Sequence, residues 1–493
     1  MNILLSIDIG TSACKVIAFD PDGHVLASET VPYGTEYPHA DWAQQNPDDW
    51  WNATCSATKR ITSQLDAGCI ACVGIDGQSW SAVAVDEYGQ VLCPTPIWTD
   101  TRAREECDEM RRVMPEEDWF NLDMNPLQPG YTLPKILWYK HHWTDAYEKA
   151  RWILQSNSFI VYRLTGRATQ DVSQGYGLQC FRMRSGEWDL DVLERLGIRS
   201  SLLPELLPSS AIAGSVTASA AFQTGLREGT PVIAGGLDAA CATLGVGVIH
   251  SGQTQEQGGQ SGGMSLCTDV CTGDPRLILG YHVVPGCWLL QGGTTGGGGA
   301  MKWLRQLICP ELSFEEMSTL AQTVPPGSDG LIFLPYLRGE RSPIWNPDAK
   351  GVFFGMTYAH TRAHMIRSVM EGTACALRHN IETADKAGGR VDLLRAMGGS
   401  ANSLVWTQIK SDTTGKTIEV PSSDTATCLG AALLAGVAVG VYRDFSEAVS
   451  RTVSVQRTHQ PDPSNQSVYE TVYKNYLELY QRLEPMMTGR KST

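Results

Sequence analysis

The stretch that decides the fold is Ile3-Leu4-Leu5-Ser6-Ile7-Asp8-Ile9-Gly10-Thr11-Ser12-Ala13-Cys14-Lys15-Val16-Ile17-Ala18-Phe19-Asp20, continued by Pro21-Asp22-Gly23 and Val25-Leu26-Ala27. It predicts a strand over 3–7, an acidic-glycine turn over 8–12, a second strand over 15–20, a turn over 21–23 and a third strand over 25–27. Gly10 permits close approach of the backbone to a ligand, and Thr11 and Ser12 add hydroxyl and amide donors. Asp8 ends an apolar strand, where a carboxylate is costly without a partner. A metal-bound phosphate suits that carboxylate and those donors together. An ordinary hairpin with a hydrogen-bonded Asp is the alternative reading of the same residues.

The chain of 493 residues exceeds what one hydrophobic core supports, so two domains are expected. A hydrophobic share of 42% against 19% charged residues places it among folded rather than disordered chains. The net charge of −14 excludes nucleic acid as the main partner, because phosphate backbones attract basic faces. A small phosphate ligand held by local loops and a metal stays open. Nothing resembles a targeting segment or a membrane span, so no membrane partner is expected. Of the 14 cysteines, Cys69 and Cys72 have metal or redox spacing, but no second pair or nearby His completes a site. Structural thiols and a reducing cytoplasm are the expectation.

Strands and helices alternate through the first half. Helices are predicted over 48–65, 103–113, 133–140 and 157–165. Cys72-Val73-Gly74-Ile75 reads as a buried strand running into Asp76-Gly77-Gln78-Ser79-Trp80. Pro231 to Asp238 reads as a strand ending in glycines and an acid, with a small-residue helix over 239–246. A second block opens near 247. Its turn Gly258-Gly259-Gln260-Ser261-Gly262-Gly263 echoes the loop at Asp8, and Gly292 to Gly299 leads into a helix at 300. Further helices are predicted over 364–384 and 427–439, with a strand over 393–397 running into Gly398-Gly399. Two similar halves, 1–246 and 247–493, are the expected domains, each opening with a strand–glycine turn–strand unit.

Several segments, in order along nearly the whole chain, resemble the FGGY carbohydrate kinases, and most of all their xylulokinase branch. Asp8-Ile9-Gly10-Thr11-Ser12 is similar to that family's first phosphate loop, and Tyr131-Thr132-Leu133-Pro134-Lys135-Ile136-Leu137-Trp138 to its first signature. Gly351-Val352-Phe353-Phe354-Gly355-Met356, with His364-Met365 and Ser368 to Glu371, resembles its second signature. Leu334 to Leu337 and Gly339 to Pro343 are also similar. The resemblance implies an α/β architecture of two actin-like ATPase (ribonuclease H-like) domains around a central cleft, with ATP and magnesium as cofactors. The implied reaction is transfer of the γ-phosphoryl group to a hydroxyl of a small sugar, with a ketopentose expected and a hexulose, polyol or modified sugar as alternatives. A homodimer is the one macromolecular partner entertained.

The resemblance assigns roles to individual residues. Asp238 matches the general base; a plain helix N-cap is the other reading, and helix dipole and burial would move its pKa in opposite directions. Asp8 is expected to hold magnesium through water, with Asp238 a second candidate for the metal. Gly10, Thr11 and Ser12 would bind phosphate oxygens. Gly259, Gln260 and Ser261 match the second phosphate loop, although Gln260 stands where a Thr hydroxyl is usual. Gly398, Gly399 and Asn402 match the adenosine segment, and Gly298 a further nucleotide contact or else a plain turn. Gln78, Ser79, Trp80, Trp98, Asp100 and Arg102, with Asp238, are the expected sugar-binding residues. Ser79-Trp80 replaces the Met-His pair of xylulokinases. Asp100 and Arg102 either bind hydroxyls or pair with each other. Asp8 and Asp238 are expected to meet at one crevice. A nucleotide- or sugar-binding protein without efficient transfer, and an actin-like ATPase of another kind, are the competing functions.

Overall fold

The fold is that of a computed structural model, which describes residues 2–422 and 425–488. Its chain forms two compact units, one of Met1–Ile249, Leu279–Trp288 and Thr425–Ser454, the other of His250–Ile278, Leu289–Asp424 and Val455–Thr493. The first crossing, after Ile249, lies near the expected boundary at 246/247. The later returns of the chain to the first unit are additional to the single cut read from the sequence.

In the first unit the opening hairpin is the centre of a sheet. Strands β1 (Ile3–Ile9), β2 (Ala13–Phe19), β3 (Val25–Pro32), β4 (Ile70–Gly77), β5 (Ile212–Ser215) and β6 (Pro231–Ile233) lie in the order β5-β6-β4-β1-β2-β3, and β7 (Gly236–Leu237) also pairs with β4. β1 runs antiparallel to β2 and parallel to β4, with Ile7 opposite Val16 on one side and Ile75 on the other. Burial of β1 along nearly its whole length explains its near-continuous apolar run, since both faces are covered. Helix α1 (Pro47–Thr62) covers β2 and β3. Asn46 caps it by accepting from the Asp48 N–H, Pro47 starts it, and acids in the first turn and bases in the last suit its dipole.

The helix Ala426–Ala438 packs on β1, β4 and α3 (Asp238–Gly245), and this is why 425–454 belongs to the first unit. The contact is made backbone to backbone. A Cβ on Gly430 would collide with the Cys241 carbonyl, one on Gly245 with the Ala426 carbonyl, and one on Gly74 with the Ala431 carbonyl. The small residues that mark both helices in the sequence are therefore a mutual requirement of close approach.

The second unit repeats the plan. Strands β8 (Gln253–Gly258), β9 (Gly262–Thr268), β10 (Trp288–Thr294), β11 (Leu393–Met397), β12 (Thr417–Pro421) and β13 (Val455–His459) lie in the order β10-β9-β8-β11-β12-β13. β8 runs antiparallel to β9 and parallel to β11, as β1 does to β2 and β4. β12 continues the parallel run, and β13 closes it antiparallel, as β6 and β5 do. Its helices include α4 (Gly298–Ile308), α5 (Arg362–Lys386), α6 (Leu404–Thr414) and α7 (Gln466–Met487).

Candidate active site

Three carboxylates gather in the first unit. Asp8 stands near the end of β1 and Asp76 directly opposite it on the parallel strand β4. On the other side of β4, Asp76 faces Gly236 and Gly77 faces Leu237, which places Asp238, the first residue of α3, one step beyond. Asp8 and Asp238 are half-buried, whereas Asp76 is fully buried and, among the described residues, neither of its oxygens has a hydrogen-bond donor. Burial, then the neighbouring Asp8 charge, lifts Asp76 well above the usual carboxylate range. Burial also raises Asp8, partly opposed by its contact with Asp76 and by the Lys15 ammonium. Two touching carboxyls do not readily ionise together, which adds to the effect of burial on Asp76. Asp238 is pushed up to about 7, first by burial and second by the charge of Asp8, against the Ala239 N–H that its carboxylate accepts. Desolvation thus prevails over the helix N-terminus, the balance that the sequence left open.

The first glycine loop is anchored rather than free. Tyr33 donates to the Gly10 carbonyl at 2.5 Å, Gln45 Nε2 to the Thr11 carbonyl at 2.7 Å, and Trp98 Nε1 to Thr11 Oγ1 at 3.0 Å. Gln45 Oε1 in turn accepts from Trp50 Nε1 and Gln78 Nε2. Gln78 is therefore fully buried behind the first glycine loop, and the polar chain Gln78–Gln45–Thr11 links it to that loop. Tyr33, Gln45 and Asp76 are members of the site that the sequence reading passed over. Asp76 carries the same signal as Asp8, an acid closing an apolar strand just before a glycine.

The other expected sugar-facing residues separate into two groups. Ser79 and Trp80 are half-buried and Trp98 is 37% exposed. Trp80 adopts a positive φ of 55°, lies so close to Gly177 that a Cβ there would collide with its indole, and meets the Tyr131 ring edge-on at 4.4 Å. Asp100 and Arg102 are fully buried and bonded to each other. Asp100 accepts from Arg102 Nε and Nη2 and from the Ala43 N–H, while the guanidinium lies 3.8 Å over the Trp42 ring. Of the two readings of this pair, the geometry is that of mutual pairing.

The second unit contains a cavity of about 1160 Å³, lined by Gly259, Gln260, Gly298, Gly399 and Asn402 among others. That volume suits a nucleotide-sized ligand. Gly398, at φ 86°, lies against the backbone of Gly258 and Gly259, where a Cβ would come within 2.9 Å. The Gly298 and Gly299 N–H groups donate to the Gly259 and Gln260 carbonyls, at 2.7 and 2.9 Å. These two amides of the α4 N-terminus are spent on the loop, and the Gln260 side chain lies over Gly299. Gln260 and Ser261 are exposed. Beneath them Lys410 bridges Glu256 and Ser400, at 2.7 Å each, and ties β8 to the turn after β11. No sequence pattern marks that pair, because Glu256 and Lys410 stand 154 residues apart and meet only in the fold.

Among the described residues no three His, Cys, Asp or Glu side chains converge to ligate a metal directly. The acid cluster nonetheless fits a hydrated divalent cation. Its carboxylates outnumber Lys15, the nearby cation, and Asp76 has no donor of its own. Among the same residues no helix is long and apolar enough to cross a membrane.

The duplicated hairpin-plus-parallel-strand plan is that of an actin-like ATPase fold, and solved structures of sugar kinases share it. A xylulose kinase from Rhodospirillum rubrum is 28% identical, with a TM-score of 0.92 over 99% of this chain and 100% of its own. A ligand-bound xylulose kinase from Lactobacillus acidophilus is 25% identical, with a TM-score of 0.93 over all of both chains. The FGGY carbohydrate kinase N-terminal domain matches residues 3–245 and the C-terminal domain residues 267–439. A xylulose kinase of Staphylococcus epidermidis is 30% identical over 98% of each chain, and a gluconokinase of Bacillus subtilis 30% over 99% of this chain and 97% of its own. The chain belongs to the FGGY family of carbohydrate kinases.

Proposed function

We propose that the protein phosphorylates a ketopentose, D-xylulose first among candidates, using ATP and magnesium. The observation that carries this reading is Asp238, a half-buried acid at the head of α3 raised to about 7 beside a second acid. A base of that pKa is matched to removing a hydroxyl proton near neutral pH. The sugar hydroxyl gives its proton to Asp238 as its oxygen bonds the γ-phosphorus, and the bond from that phosphorus to the β-bridging oxygen breaks to release ADP. Magnesium, held through water by Asp8 with Asp238 as second acid, would supply neutralisation of the phosphate charge. Gly10, Thr11 and Ser12 take phosphate oxygens, while the cavity beside Gly259, Gln260, Gly298, Gly399 and Asn402 takes the nucleotide. Trp80 and Trp98 supply flat apolar faces for a sugar.

Gluconate is the second reading, because the gluconokinase of Bacillus subtilis is as similar in sequence as the xylulose kinase of Staphylococcus epidermidis. ADP release measured with D-xylulose, D-gluconate, glycerol and hexuloses decides between them. Highest kcat/KM with D-xylulose supports the proposal, and preference for gluconate replaces it. No turnover with any sugar, despite ATP binding, refutes the kinase reading altogether.

A further inference from the structure

Lys135, on helix α2 (Thr132–His142), is fully buried, and the role it plays is visible in where its protons go. An ammonium has three donors and no acceptor. Lys135 Nζ spends them on three backbone carbonyls from separate parts of the chain, those of Trp80 at 2.9 Å, Ile97 at 2.8 Å and Gly130 at 2.7 Å. No carboxylate bonds to it. The charge of Asp100 reaches it, but that carboxylate is already engaged by Arg102 and the Ala43 N–H. Burial draws the ammonium down toward about 7, and the three carbonyls are the groups that solvate its charge. Burying a cation without an ion-pair partner is costly, and a methionine of similar length would fill the space without that cost.

The three carbonyls share one property: each belongs to, or immediately precedes in sequence, an aromatic residue. Trp80 is held directly, at the positive φ that a bulky residue rarely adopts. Ile97 precedes Trp98, whose indole reaches Thr11 of the phosphate loop. Gly130 precedes Tyr131, which packs on Trp80. Gly130 also approaches the Trp98 carbonyl so closely that a Cβ would stand 2.9 Å from it. One nitrogen therefore sets the separations of Trp80, Trp98 and Tyr131.

We propose that Lys135 is a positioning residue that fixes the width of the aromatic wall and thereby sets which sugar is accepted. The inference rests on the sugar-kinase reading of the site. Its consequence is specific: loss of the tripod disturbs the sugar side while the nucleotide side, in the other unit, keeps its affinity.

The test compares wild type with Lys135→Met and Gly130→Ala, measuring kcat and KM for D-xylulose, D-gluconate, glycerol and ATP. Lys135→Met removes all three bonds at similar volume. Gly130→Ala leaves the ammonium in place and pushes the Gly130 and Trp98 segments apart, so it carries the test if the first variant fails to fold. Expected for either is a rise of about tenfold or more in KM for the preferred sugar, with KM for ATP within about twofold. The ratio of kcat/KM between preferred and competing sugars should also fall by about tenfold. A loss confined to kcat, with sugar KM and selectivity kept, marks Lys135 as a stabiliser only and overturns the inference. If wild type phosphorylates none of the sugars, the reading beneath it fails and the inference falls too. If wild type is active and the variants keep their selectivity, only the inference fails.

Discussion

Asp8 and Asp76 face each other across the parallel pair β1–β4, and among the described residues neither Asp76 oxygen meets a hydrogen-bond donor. With Asp238 one step beyond β7, they concentrate acid beside the Lys15 ammonium. Such a cluster is unstable when fully ionised, and a cation or a proton relieves it. The behaviour of the protein toward pH and metal follows from that.

All three acids are raised in the folded chain. A raised pKa means that the folded state holds more protons than the unfolded one. The associated stability is present below about pH 4, the unfolded carboxylate value, and is lost as pH rises through the folded values. For Asp238 the loss runs upward from about pH 4 and is complete just above 7. The metal-free protein should melt at a lower temperature at about pH 8 than at about pH 5. Magnesium should recover more of the melting temperature at the higher pH, because it competes with protons for the same acids. Thermal melts with and without magnesium check this, and equal metal effects at both values count against it.

Asp76→Asn removes the buried carboxyl and keeps its volume. The melting temperature of the metal-free variant should depend less on pH between about 5 and 8 than that of wild type. Parallel thermal melts of the two proteins measure it. An undiminished dependence would assign the titration to other groups.

The close packing of the helix Ala426–Ala438 on α3 and β4 is tested at Gly430. Valine there would drive two methyl groups toward the Cys241 carbonyl. Overpacking at a backbone contact should cost about 3 kcal/mol. Urea denaturation gives the number, and a change below about 0.5 kcal/mol, the level of ordinary surface substitutions, would show that the helices can part freely.

In the second unit, Lys410→Met strands the Glu256 carboxylate in a buried site and should cost about 3–5 kcal/mol. Removing both charges, with Glu256→Leu added, should restore much of the loss. The double-mutant cycle reads the coupling. Additive effects would mean that the pair does not hold β8 to the adjoining turn as a unit.

The sequence makes the local chemistry legible and the long-range partners much less so. The hairpin at 3–28 is readable because alternation between apolar runs and turn residues is a local property, and β1, β2 and β3 follow it. The helices read over 364–384 and 427–439 become Arg362–Lys386 and Ala426–Ala438 for the same reason. Asp76 escaped because its meaning depends on register: only pairing with β1 sets it beside Asp8. The return of 425–454 to the first unit escaped because small residues announce close packing without naming the partner. For Asp100 and Arg102 the spacing permitted both sugar binding and pairing, and it is the ring of Trp42 and the Ala43 N–H that show pairing. Burial of Gln78 behind Gln45 depends on the short strand Gln44–Gln45, 33 residues away in sequence.

The most direct test of the account is the pH dependence of kcat for wild type and Asp238→Asn with D-xylulose, with ATP affinity measured alongside by calorimetry. Wild-type activity should rise with pH as Asp238 loses its proton, the step falling at or below about 7 because magnesium competes with protons for the same acids. Asp238→Asn should lose about 10²–10⁴ in kcat and that step with it, while ATP affinity stays near the wild-type value. Turnover by Asp238→Asn at the wild-type rate, with the step intact, would contradict the assignment of Asp238 as the base.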